Sequence, residues 1–68
     1  MYKFAEVHQS TPAGGFIFRT QLAALAVTSE PDGGAETMTQ LKIAYPGAEY
    51  RWHYCNHDEG GGCRTEVA

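Results

Sequence analysis

Leu22-Ala23-Ala24-Leu25-Ala26-Val27 admits two conformations, and a different fold stands behind each. Its alanines and leucines suit a helix. It nevertheless continues directly from Phe16-Ile17-Phe18-Arg19-Thr20-Gln21, an aromatic and β-branched run that suits a strand. The large apolar residues change parity between Leu22 and Leu25. A single flat strand would put them on opposite faces unless a bulge or bend intervenes. We read the stretch as an extended strand ending near Val27.

On the N-terminal side, residues 2–9 read as a first strand, with Tyr2 and Phe4 on one face and Lys3, Ala5 and Val7 on the other. Ser10-Thr11-Pro12-Ala13-Gly14-Gly15 is turn chemistry, since proline fixes φ and glycine permits positive φ. The two strands therefore form a hairpin, with Phe16, Phe18 and Leu22 sharing a face. On the C-terminal side, Thr28-Ser29-Glu30-Pro31-Asp32-Gly33-Gly34 is a loop in which Ser29 or Asp32 can cap a helix. Residues 35–45 carry an apolar stripe of Ala35, Met38, Leu41 (or the Lys42 stem) and Tyr45, and Pro46-Gly47 ends it. Residues 48–56 alternate as a third strand, and residues 63–67 return after Gly60-Gly61-Gly62 as a short last one. The expected fold is α+β: an antiparallel sheet of three to four strands, β-β-α-β with a possible short last strand, and one helix packed on one face. All 68 residues fit a single domain.

Composition narrows the function. The chain is 43% hydrophobic and 19% charged, as folded domains are. A domain of this size buries only about 60% of its unfolded surface, which leaves little chain for a deep catalytic pocket. The formal net charge is −3, and the basic residues Lys3, Arg19, Lys42, Arg51 and Arg64 are scattered. Direct nucleic-acid binding is disfavoured, and a protein partner with a basic surface is favoured. The N-terminal residues hold no run of signal-peptide length, and the longest apolar run is far short of a membrane span. The expectation is a cytoplasmic protein whose Cys55 and Cys63 are reduced.

His53-x-Cys55-x-His57, followed by Cys63, is the sharpest chemical pattern. Residues i, i+2 and i+4 of a strand point the same way, and two cysteines with two histidines make a tetrahedral zinc set. The spacing matches no standard finger or ribbon, so the metal reading is set below two others: polar side chains on a solvated strand face, and a Cys55–Cys63 disulfide across the hairpin. No cofactor is expected. A Cys/His nucleophile lacks an evident oxyanion hole, the acids lie in or beside loops, and Gly60-Gly61-Gly62 is followed by no phosphate-loop lysine. No enzyme activity is expected. The stripe Tyr50, Trp52, Tyr54 reads as core against Met38, Leu41 and Tyr45 rather than as a base-stacking platform.

Thr11-Pro12-Ala13-Gly14-Gly15, the helix running into Tyr45-Pro46-Gly47-Ala48, and the aromatic strand over residues 49–54 together resemble small phage and mobile-element proteins of β-β-α-β form. Several anti-CRISPR proteins look like this: short, acidic, single-domain and non-enzymatic. The resemblance implies an inhibitor in a bacterial host cell that covers a basic or nucleic-acid-binding surface of a Cas nuclease or surveillance complex. Glu30, Asp32, Glu36, Arg51 and Trp52 are the partner-binding candidates. The alternatives are a structural or regulatory homodimer formed through a sheet edge or the aromatic strand, and a small zinc-stabilised module.

Overall fold

In a computed structural model, which describes residues 2–56 and 60–68, the chain forms five elements. They are β1 (Tyr2–Ala13), β2 (Phe16–Ala26), α1 (Ala35–Ala44), β3 (Glu49–Cys55) and β4 (Cys63–Val67). The strands make one four-stranded sheet in the order β2-β1-β3-β4, antiparallel at every pairing. The α+β expectation holds, and the short last strand is present. Because β2 and β3 both run antiparallel to β1, they run parallel to each other. Their connection must therefore cross the sheet, and α1 is that crossover.

The hairpin is longer than the turn residues suggest. Only Gly14 and Gly15 turn, with φ of 57° and 82°, the doubly positive pair that two-residue hairpins favour. Ser10 to Ala13 stay in the strand. Pro12 fits there because β3 pairing stops at His8↔Glu49, after which β1 is an edge strand.

Residues 22–27 are extended, as expected, and the parity change is resolved by a bulge. Val7 pairs with Ala23 and His8 with Gln21, leaving Leu22 as the extra residue. The bulge returns the apolar residues on both sides of it to one face. Phe16 and Phe18 precede it, Leu22 forms it, Ala23 and Leu25 follow it, and all share the face of Ala5 and Val7.

That face carries the core of Ala5, Val7, Val27, Met38 and Leu41, with Leu22, Ala23, Tyr45, Ala48, Tyr50 and Trp52 packed around it. Tyr50 and Trp52 thus sit where the sequence places them. Tyr54 stands outside the cluster, with Lys3 Nζ 5.4 Å and the Arg64 guanidinium 4.5 Å from its ring. Asp32 caps the helix: its carboxylate accepts from the Gly34 and Glu36 amides, both at 2.9 Å. At the other end the Tyr50 hydroxyl donates to the Tyr45 carbonyl at 2.6 Å. Gly34 is fixed by closeness, since a Cβ there would lie 2.7 Å from the Val27 side chain, and its φ is 91°. No helix among the described residues is long and apolar enough to cross a membrane.

Candidate metal centre

The helix covers one face of the sheet, and the other face is open. Pairing of β1, β3 and β4 decides what meets there. Phe4 lies opposite His53, Glu6 opposite Arg51, Tyr2 opposite Cys55, and Cys55 opposite Cys63. Strand alternation then puts Glu6, His8, His53, Cys55 and Cys63 on the open face.

Glu6 is only 7% exposed, although it lies on the face the helix does not cover. Its two oxygens are each held by a histidine: Oε2 by His53 Nδ1 at 2.8 Å and Oε1 by His8 Nε2 at 2.9 Å. Burial alone would push the Glu6 carboxyl up. The hydrogen bonds from His8 and His53, with the charges of both rings, outweigh it and hold the carboxyl below its ordinary value. The Phe4 ring meets His53 edge-on at 6.1 Å and limits how that imidazole can tilt.

With Nδ1 directed at Glu6, the His53 Nε2 faces the two thiols. Cys55 Sγ is 3.2 Å from it. The donor atoms of His53, Cys55 and Cys63 all lie within 4.8 Å of one another. Hydrogen bonds to Cys63 and then to Glu6 raise the His53 pKa. Cys55 is pushed up to about 11, chiefly by its hydrogen bond with Cys63 and then by burial. Cys63 is lowered by the same bond and by His53. Cys63 is therefore the easier of the two thiolates to form. Both cysteines are present as thiols.

The cluster has the chemistry of a soft-metal site. Thiolate sulfur and imidazole nitrogen suit zinc and copper(I) rather than magnesium or calcium. At zinc bond lengths, tetrahedral ligand atoms sit about 3.5–3.8 Å apart. Closing the present triangle onto an ion takes side-chain movements of about 1 Å. A carboxylate on the far nitrogen of a ligating histidine is the usual way its tautomer and aim are fixed.

Three of the four zinc candidates of the sequence are thus brought together, and His57 lies outside the described residues, as do Asp58 and Glu59. Glu6 and His8 went unnoticed in the sequence. The available signal was the alternation Phe4-x-Glu6-x-His8, which puts an acid on an otherwise ring-bearing strand face. Its partner His53 is 47 positions away and is reached only through the β1–β3 register.

The partner-binding candidates do not form one patch. Glu30, Asp32 and Glu36 gather at the start of α1, where Asp32 is engaged by the helix amides and Glu30 accepts from Thr37 Oγ1. Arg51 lies on the open sheet face, paired with Glu49 at 3.0 Å. Trp52 is half-buried on the helix side with Lys3 Nζ 4.3 Å from its ring centroid. Comparison with protein families, with curated proteins and with solved structures finds no match to this chain.

Proposed function

We propose that this chain is a small metal-binding module that holds one zinc-like ion through His53, Cys55 and Cys63, with Glu6 orienting the imidazole. The observation that carries the reading is the convergence of three soft donor atoms within 4.8 Å, backed by a buried carboxylate on the far nitrogen of the histidine. The sequence pattern offers His57 for the fourth tetrahedral position. The ion would clamp the β3–β4 hairpin, which a domain with five buried apolar core residues among those described needs. The site is read as a binding site, not a catalytic one. Cobalt(II) titration tests it: thiolate-to-cobalt absorption should saturate at one ion per chain and vanish in Cys55→Ser and Cys63→Ser. Purified protein that neither holds stoichiometric zinc nor gives those bands sinks the proposal.

A second reading keeps the protein-binding inhibitor suggested by size and acidity, and moves its contact surface. Phe16, Ile17 and Phe18, at the hairpin tip, are 69%, 73% and 56% exposed. Phe16 and Phe18 share one face of the tip and Ile17 lies on the other, and neighbouring exposed apolar side chains such as the first two mark protein contacts. This reading takes a protein partner, for which a basic surface suits the chain's net charge of −3. It would be tested by capture of one specific partner from a bacterial lysate, lost on substitution of these three residues.

A further inference from the structure

Cys55 and Cys63 are direct cross-strand partners at the turn end of the β3–β4 hairpin. The ladder identifies the type of pair. Asn56 donates to the Gly62 carbonyl and Ala68 to the Tyr50 carbonyl, so the even-numbered positions of β3 hold the hydrogen-bonded pairs. Cys55 and Cys63 therefore occupy a non-hydrogen-bonded pair, where opposed Cα atoms lie about 4.5 Å apart and side chains approach most closely. That spacing falls within the range of about 4.4–6.8 Å that a disulfide spans. Both side chains point to the same open face.

The two cysteines differ in access. Cys63 is exposed, whereas Cys55 is half-buried with its sulfur 3.2 Å from His53 Nε2. An oxidant from solution meets Cys63 first, and Cys55 is the sulfur placed to displace it.

We propose that this pair is a redox latch on the metal centre: its oxidation to a Cys55–Cys63 disulfide expels the ion. The latch rests on the metal-binding reading above. The oxidant is a low-molecular-weight disulfide. The Cys63 sulfur attacks one sulfur of it, forming a mixed disulfide and releasing one small thiolate. The Cys55 sulfur then attacks the Cys63 sulfur, forming the protein disulfide and releasing the second thiolate. Two electrons pass from the protein to the small disulfide. Both leaving thiolates take up a proton from water, and the ion departs with its charge because both anionic ligands are gone.

Two features make the step reversible. The loop closed is short, so the bond gains little from chain entropy, and exposed disulfides are the more easily reduced class. The new bond also joins the same two strands the ion clamped, so ion release need not unfold the hairpin.

The test uses zinc-loaded protein, oxidised glutathione and a chromophoric zinc chelator, with intact mass measured in parallel. The expected result is release of one zinc per chain, in step with loss of two hydrogens, and rebinding of zinc after dithiothreitol. Bound zinc that survives oxidation, or oxidation that stops at glutathione adducts or disulfide-linked dimers, overturns the latch and leaves the metal site standing. Reduced protein that holds no zinc at the outset overturns both. Cys55→Ser keeps the attacking Cys63 and removes the sulfur that resolves the mixed disulfide, so, followed by mass alone, it must retain one glutathione adduct per chain. A Cys55→Ser chain that takes up no adduct removes Cys63 as the attacking thiol and overturns the latch.

Discussion

Glu6 Oε2 accepts a hydrogen bond from His53 Nδ1 at 2.8 Å across the β1–β3 pairing. The two residues are diagonal neighbours on the open face, since His53 lies directly opposite Phe4. Glu6 thereby fixes which imidazole nitrogen is left for the thiols. Its other oxygen is held by His8, so the carboxylate cannot swing away without losing both rings.

Replacing Glu6 by Gln should weaken zinc binding roughly 10–100-fold, the usual effect of removing a carboxylate that orients a ligating histidine. The amide keeps the size of the side chain, so folding is retained. Competition against a chromophoric chelator measures the change. Unaltered affinity in a folded Glu6→Gln variant would remove Glu6 from the site.

Asp32 gives the acid side of the stability profile a defined sign. Hydrogen bonds from the Glu36 and Gly34 amides hold its carboxyl below the ordinary value of 3.8. A carboxyl depressed on folding adds stability above its unfolded pKa and loses it as pH falls through the folded one. Thermal melts of the native chain should therefore drop as pH falls below about 4. Asp32→Asn should melt lower at neutral pH and change less across that acid range. Parallel melting curves for the two proteins would show that the cap carries no stability.

Much of this was legible in the sequence because period and turn chemistry are local. The apolar stripe through Met38 and Leu41, the Pro46-Gly47 stop and the parity change after Leu22 each announce their element. The extent of the hairpin was not, because Pro12 signals a turn unless one knows that β3 ends opposite His8. The centre was half legible. His53 and Cys55 share a strand face by alternation, whereas the placing of Cys63 and Glu6 depends on two strand registers. Registers are set by the whole sheet, and no short motif encodes them. Of the acids at the start of α1, Asp32 caps the helix as its position suggested, while the hydrogen bond of Glu30 with Thr37 is a contact no local pattern announces.

Gly34→Ala should be the most damaging small substitution. The added methyl would lie 2.7 Å from Val27 Cβ and Cγ2, in the core, at a φ of 91° that alanine resists. Strain of the backbone and overpacking together cost about 2 kcal/mol or more. The whole domain has about 3–5 kcal/mol to lose. Trp52, the chain's single tryptophan, packs against the same core and reports its state. Its fluorescence should show Gly34→Ala unfolding at distinctly lower denaturant than the native chain. An unchanged midpoint would mean that Gly34 does not approach Val27 as closely as described.

The hairpin tip separates contact from stability. Phe16, Ile17 and Phe18 lie beyond the region where β3 and α1 cover β1 and β2, and each is more than half exposed. Replacing exposed side chains usually changes stability by no more than about 0.5 kcal/mol apiece. A variant with all three changed to Ser should therefore melt close to the native temperature and bind cobalt(II) as before. If the tip is a protein contact, the same variant should lose its captured partner while both other properties persist. A large fall in melting temperature would instead place these residues in a packed core, and the tip would no longer serve as the contact surface of the second reading.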